Sequence, residues 1–493
     1  MNNFLNSLET ISNMKRTENG ALAQSSTHSA LVDLFGTIGA LRSRHSAEVI
    51  QMFRAAFGED ALLATKMAFY ARDIRGGLGE RETFRIILKE LANNHPNIVR
   101  KNMANIPEMG RWDDLFVLFD TSLENEMMEF VKETLFNDGR NVHFNKPVSL
   151  CAKWMPSSNA SSANTRKMAQ KFIKYFHITE RRYRKLLSVI RAYIKVVETP
   201  MSAKEWEAIN YETCPSRAMF KYRNAFKRND TERYEKYIEN VNNGKSEIKA
   251  STVYPYDLVR AYLNLPNYLT KVDDTIEAQW KNLPNFVEGE NNFLVMADVS
   301  GSMRVPNDTA ISASIGLAIY FAQRNKGAFA GKYLTFSAIP KIASVSLDDT
   351  LFDCVSRVMR TDIGYNTNLE RAFRAILMAA ELSNCPASEM PKSLVIITDM
   401  EIDDYSIKGG NFTFLDTMKE RFAEKGYELP NVVFWNVNAR HNTFHALASD
   451  SRVQLVSGYA PNIFKSIVEI MNSTPYEAML KVLSNPRYDC ITI

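Results

Sequence analysis

The chain of 493 residues lacks the marks of several common protein classes. Its five cysteines, Cys151, Cys214, Cys354, Cys385 and Cys490, are odd in number and widely scattered. They form no CxxC or Cys/His cluster, so neither a zinc site of the usual spacing nor a disulfide framework is expected. No stretch of about 18 apolar residues occurs, and a membrane span is not expected either. The opening "MNNFLNSLETISNMKRTENG" has neither the basic flank nor the continuous apolar core of a secretory signal. A reducing, cytoplasmic setting is the expectation. Neither GxxxxGK[ST] nor GxGxxG opens a helix, which leaves nucleotide binding without support.

What is present is ordinary in bulk and uneven in distribution. Hydrophobic residues make up 45% of the chain and charged ones 24%, values of a globular protein, and the formal net charge is only +4. Residues 1–290 hold 41 Lys and Arg against 35 Asp and Glu, whereas 291–493 hold 19 against 21. Within 151–200 there are 11 basic and 2 acidic side chains, an excess that suits a polyanion.

The hydrophobic pattern divides the chain in two. Residues 1–30, rich in Asn, Ser and Thr, are expected to form a flexible or peripherally docked N-terminal arm. From 31 to 290 apolar residues recur at spacings of three and four, as in "AEVIQMFRAAFGED" and "ETFRIILKELANN", which predicts successive amphipathic helices stacked as a helical repeat. Thr179 and Ser202 stand where N-caps belong, Ser202 with Glu205 as a capping box. From 291 to 475 short apolar runs alternate with helical segments. "NFLVMADV", "KYLTFS", "IASVSL", "KSLVIITDM", "NVVFWNVNA" and "VQLVSG" read as strands of a doubly wound, mostly parallel sheet. Residues 476–493 are expected to pack back on the protein as a tail.

In such sheets ligands sit beyond the carboxyl ends of the strands, and two acids fall there. Asp298 ends the first strand and opens "DVSGSM", in which Ser300 and Ser302 project the same way as the acid. Asp399 ends "SLVIITD", and the loop "GYNTN" adds the hydroxyl of Thr367. Two carboxylates and three hydroxyls make a hard, all-oxygen site, suited to Mg²⁺ first and to Mn²⁺ or Ca²⁺ as alternatives. Two other readings compete. Ser300 or Ser302 as a nucleophile needs a histidine base; His441 and His445 lie downstream, but a G-x-S-x-G elbow is missing. The hydroxyls can also simply cap a turn. Metal-dependent binding rather than catalysis is the preferred reading.

The order and spacing of these three elements resemble the metal-ion-dependent adhesion site of von Willebrand factor A domains. Those domains often place Gly after the last Asp; here Met400 and Glu401 follow, and Glu401, Asp403 and Asp404 can add negative charge nearby. With the helical blocks "ARDIRGGLGERETFR", "MGRWDDLF" and "CAKWMPSSN", the chain resembles TROVE-module proteins, the Ro-type RNA-binding family. It is most similar to a TROVE-like branch found in phage and some cellular genomes. The resemblance covers most of residues 30–475.

The resemblance implies a HEAT-like helical ring closed by an α/β Rossmann-like von Willebrand factor A domain. It also implies that single-stranded ends of misfolded RNA enter the hole while structured small RNA binds the basic outer surface. Candidate RNA contacts are Arg166, Lys167, Lys171, Lys174, Arg181, Arg182, Arg184 and Lys185, with Tyr175, His177 and Tyr183 interleaved as stacking groups. Arg72, Arg75 and Arg81 are read instead as ties between helices through Asp73, Glu80 and Glu82. The metal site would accept an acidic protein ligand. The rival expectation is a metal-dependent interaction or assembly scaffold without RNA binding, of the kind a phage encodes.

Overall fold

A computed structural model of the chain describes residues 12–263, 271–287, 292–304, 307–337, 339–360, 367–404, 413–465 and 472–493. Residues 30–263 are helical. The longer helices include Ser46–Glu59, Ala61–Arg72, Arg81–Asn94, Glu124–His143, Ala163–Phe176, Glu180–Tyr193, Ser216–Asn229 and Thr231–Asn242. Thr179 caps its helix as expected, accepting from the Arg182 amide. Ser202 does not. It lies inside the short helix Glu198–Ala203 and donates to the Glu198 carbonyl, because Pro200 is well placed in the first turn of a helix that begins earlier.

A six-stranded sheet follows, built from β3 (Phe293–Asp298), β4 (Lys332–Phe336), β5 (Lys341–Ser344), β6 (Ser393–Thr398), β7 (Asn431–Asn436) and β8 (Val453–Ser457). Its order is β5-β4-β3-β6-β7-β8, parallel throughout except for the antiparallel edge pair β4–β5. Strands β3, β6, β7 and β8 are buried at every residue, which is why they read as unbroken apolar runs rather than alternating ones. The chain leaves β3 to one side for β4 and later returns to its other side as β6. That reversal makes the β3–β6 seam the topological switch point of the sheet. The expected helix at "IFKSIVEIMNS" falls partly on residues 466–471, outside the described residues.

The two halves share one hydrophobic core, and a smaller core lies around Tyr211, Phe226 and Tyr234. Helix Thr309–Arg324, "TAISASIGLAIYFAQR", is apolar on all sides because it is covered on all sides. One side lies on β3, β4 and β6, the other on the helix Pro255–Leu263. The opposite end of the helical half also reaches the sheet: the 3₁₀ turn Ile38–Ser43 meets β8, where the Gly39 amide donates to Ser457 Oγ at 2.9 Å. The α/β half therefore touches both the beginning and the end of the helical half.

Both chain ends are docked. Of the arm expected to be flexible or peripherally docked, residues 12–29 are docked. Strands β1 (Met14–Arg16) and β2 (Leu22–Gln24) form a hairpin against the α/β half, with Gln24 and Phe444 exchanging backbone hydrogen bonds at 2.8 and 3.0 Å. Its polar side chains bond specific backbone groups, so composition alone concealed how it docks. At the other end, Arg487 and Tyr488 bind Asp73, and Asn102 binds Thr492. No helix among the described residues is long and apolar enough to cross a membrane.

Gly39 offers a direct check on this joint. A Cβ there would lie 2.5 Å from the Ser457 carbonyl oxygen, backbone that cannot swing aside. Gly39→Ala is expected to destabilise the chain by about 1–3 kcal/mol, as overpacking does, measured as a lower midpoint in urea unfolding.

Candidate metal centre and central cavity

Asp298 is fully buried at the end of β3. Its Oδ1 accepts the Ser300 amide at 2.9 Å and its Oδ2 accepts Thr398 Oγ1 at 2.7 Å. Ser300 Oγ and Ser302 Oγ stand 3.1 Å apart. Asp399, also buried, follows β6 directly, and its Oδ1 accepts the Glu401 amide at 3.2 Å. Thr367 is held by Asp403, four residues after Asp399: the Thr367 amide donates to Asp403 Oδ1 at 2.9 Å and its carbonyl accepts the Asp403 amide at 3.0 Å. Residues 364–366 of the same loop lie outside the described residues.

Electrostatics single out the pair of acids. Burial, then the neighbouring charge of Asp399, pushes the Asp298 carboxyl up to about 7, although hydrogen bonds from Ser300 and Thr398 oppose the shift. Asp399 is raised too, again by burial, with the Arg440 guanidinium working against it. No group of three or more His, Cys, Asp or Glu among the described residues could hold a metal ion. The arrangement is instead two carboxylates completed by hydroxyls, and it fits a small hard cation. One atom indicates an unmet need: Thr367 Oγ1 is buried and has no hydrogen-bond partner among the described residues. A buried hydroxyl oxygen without a partner is costly, and a cation ligand would satisfy it.

Arg440 and Glu18 were not singled out from sequence, whereas Glu401 was expected to add charge nearby. Arg440 donates to Asp399 Oδ2 at 3.0 Å and pairs with Glu18 of the hairpin at 2.6 Å. Arg440 lies just past the end of β7, so the strand-end rule could have found it; nothing local could have found Glu18. Glu401 is buried and faces away from solvent into this network, accepting Thr443 Oγ1 at 2.9 Å and the Glu18 amide at 2.7 Å. The two histidines weighed as bases have other partners. His441 Nε2 contacts Glu18 at 2.7 Å. His445 is buried with Nε2 on the Met400 carbonyl, and burial lowers its pKa to about 4.

The helical half encloses a cavity of about 2340 Å³. Its lining holds twelve Lys and Arg, five Asp and Glu, and aromatic rings that include Trp112, Trp154 and Tyr222. Of the eight basic residues expected to contact RNA, Arg184 alone lines it. Lys167 and Lys171 face a separate hollow of about 790 Å³, where Lys171 pairs with Asp120. Arg166 is spent on the Ala160 and Ser161 carbonyls at 2.7 Å each. Lys174, Arg181, Arg182 and Lys185 are exposed and line neither space. The eight residues therefore do not gather in one hollow, because helical periodicity says which side of a helix is polar but not toward which hollow it turns. Tyr183 is no stacking group either: it is buried, with its hydroxyl on the Pro156 carbonyl.

Of the arginines read as ties between helices, Arg72 and Arg75 join separate elements through partners other than those expected, whereas Arg81 pairs within its own helix. Arg72 meets Asp114 at 2.7 Å with both side chains buried, and Arg85 joins Asp114 and Asp113. Arg75 meets Glu108, and Arg81 meets Glu82 as expected. Asp73 binds Arg487 and Glu80 binds Arg42. By contrast Lys153, Lys195 and Lys221 line the cavity and make no ion pair among the described residues.

Fold and site together define a two-part chain: a helical module around a basic, aromatic cavity, joined to a parallel α/β domain with an oxygen cluster at its switch point. The model of a domain of unknown function, DUF2828, matches residues 17–140 and 117–288, more than half of the chain, which belongs to that family. A second domain of unknown function, DUF7788, matches residues 292–484. The chain is 27% identical over 512 residues to the uncharacterized protein L728 of Acanthamoeba polyphaga mimivirus, covering 96% of this chain and 88% of that protein. The crystal structure of the Deinococcus radiodurans RO (RSR) protein is similar over 93% of this chain and 99% of that one, at 14% identity and a TM-score of 0.48.

Because the raised pKa of Asp298 marks a charge held at a cost, its removal has a definite sign. With its folded pKa above its unfolded value near 3.8, the acid lowers stability above pH 7 and ceases to do so as the pH falls toward 4. Asp298→Asn is therefore expected to stabilise the metal-free chain at pH 8 by roughly 1–2 kcal/mol and to make no such difference near pH 4. Thermal unfolding in chelator at both pH values measures it.

Proposed function

We propose that this chain binds single-stranded RNA in the cavity of its helical half and carries a divalent-cation site for an acidic protein ligand in its α/β half. The observation that carries the first part is the lining of the cavity. A single strand needs cations for its phosphates and flat rings for its bases, and both face one space here. The paired arginines hold the wall in shape, which leaves Lys153, Lys195 and Lys221 free to neutralise phosphates. Trp154 and Tyr222 sit beside two of these lysines, with the ammonium groups 5.6 and 4.9 Å from the ring centroids. The helical half would act as a HEAT-like array that the α/β half closes into a ring.

In the α/β half, Asp298, Ser300, Ser302, Thr367 and Asp399 would hold Mg²⁺, with Mn²⁺ or Ca²⁺ as substitutes, in a von Willebrand factor A-like adhesion site. Such an ion draws an outside carboxylate. Ser300 and Ser302 have no histidine base in hydrogen-bond reach among the described residues, which supports a binding role over an enzymatic one and fits a cytoplasmic ribonucleoprotein component.

Fluorescence anisotropy with a labelled single-stranded oligoribonucleotide at several salt concentrations tests the RNA reading. Binding is expected to weaken steeply with salt, and the triple variant K153A/K195A/K221A to flatten the log–log slope by about 0.7 per lysine removed. R181A/R182A should leave both affinity and slope nearly unchanged. Absence of salt-dependent binding, or equal losses in both variants, would leave the scaffold reading without RNA as the better one.

A further inference from the structure

The metal centre contains its own competing cation. Arg440 stands between two carboxylates: Asp399 Oδ2 at 3.0 Å on the buried side, and Glu18 Oε2 at 2.6 Å on the side toward solvent. Asp399 is fully buried while Glu18 is 42% exposed, so the guanidinium bridges the interior of the site and its rim. Glu18 does not reach this position by chance of a loose chain. Thr17 Oγ1 donates to the Ile402 carbonyl at 2.7 Å, the Glu18 amide to Glu401 Oε2 at 2.7 Å, and Asn19 Nδ2 to the Glu401 carbonyl at 2.7 Å. The Asp404 amide returns a bond to the Asn19 carbonyl at 3.0 Å. His441 holds the other Glu18 oxygen. The hairpin turn is thereby clamped to residues 401–404, the segment whose Asp403 also positions Thr367.

We propose that Arg440 is the resident counter-ion of Asp399 in the metal-free protein and that Glu18 is the anchor to which it retires when a divalent cation enters. This rests on the metal reading above. The physical argument is one of charge. Two buried acids side by side need a cation, and a half-buried guanidinium supplies one at short range. A dication at the same carboxylates does so better and repels Arg440, whose positive charge then needs another partner. Glu18 is already in contact on the opposite side, so the guanidinium can leave Asp399 without losing its remaining ion pair. The N-terminal hairpin thus sets the affinity of a site to which it contributes no ligand.

The arrangement predicts effects of opposite sign from two neighbouring residues. Removing the competitor, in Arg440→Gln, should tighten Mn²⁺ binding about tenfold. Removing the anchor, in Glu18→Gln, leaves Arg440 committed to Asp399 and should weaken it about threefold. The double variant should behave as Arg440→Gln alone. Electron paramagnetic resonance of free Mn²⁺ titrated into the full-length chain reads all four affinities, with circular dichroism confirming that each variant is folded. Two results overturn the proposal: an Arg440→Gln chain that binds no tighter than wild type, or a Glu18→Gln effect that persists undiminished in the double variant, which would make it simple through-space attraction. If neither wild type nor Arg440→Gln takes up Mn²⁺, the metal reading itself falls and this one with it. If wild type binds and Asp298→Ala does not, the metal reading stands whatever the fate of the Arg440 exchange.

Discussion

Two carboxylates buried side by side at the seam between β3 and β6 impose the conditions that the rest of the α/β half meets. The parallel pairing of Ala297 with Ile397 brings the strand ends level, so Asp298 and Asp399 emerge together where the order of the sheet reverses. Taking an ion out of water costs several kcal/mol even after relaxation, and a second like charge adds to the cost. Hydrogen bonds from Ser300 and Thr398 meet part of it at Asp298. Arg440 meets part of it at Asp399. What remains shows as a raised pKa at both acids and as a buried Thr367 hydroxyl with no partner among the described residues. Folding alone would not select such a cluster, since apolar side chains would fill the same space at less cost.

The hairpin and the tail follow from the same economy of contacts between halves. A chain whose helical half meets the sheet at both ends has two joints to secure. At the early joint Gly39 lets backbone approach backbone beside Ser457, and Arg42 stacks on the Tyr459 ring at 4.1 Å. At the late joint Gly316 permits helix Thr309–Arg324 to lie against Pro255. Tyr256 touches both systems, stacking near Tyr459 while lining the cavity. The cavity wall and the sheet are therefore parts of one packed body.

How much of this was legible in the sequence depends on the range of the interaction responsible. Strands β3, β6, β7 and β8 were readable because burial on both faces writes an unbroken apolar run, and Asp298, Ser300 and Ser302 because their spacing is local. Asp399 and Thr367 were readable from strand-end and loop position. Arg440 and Glu18 are 422 residues apart in number, and no periodicity or spacing links them. How residues 12–29 dock was hidden for a related reason: Thr17 and Asn19 reach the α/β half through hydrogen bonds to the backbone of Ile402 and Glu401, which no apolar period announces. At Ser202 a local rule failed because Pro200 favoured an earlier helix start.

The basic residues teach the same distinction at the scale of the module. Counting Lys and Arg located the excess at 151–200, yet within 166–185 the excess is spread over the cavity, a second hollow and open solvent. Charge counts report what a segment can offer, whereas curvature decides where it is offered. The cavity gathers its cations from helices far apart in the chain, and five of the twelve are arginines held by Asp113, Asp114, Glu80 and Glu108. An arginine in a buried bidentate pair is poorly placed to trade its partner for a phosphate, since the abandoned carboxylate would stay behind without water. Lysines without partners carry no such penalty. In a wall built this way the paired arginines hold the shape, and Lys153, Lys195 and Lys221 are lysines that the ion-pair network among the described residues leaves out.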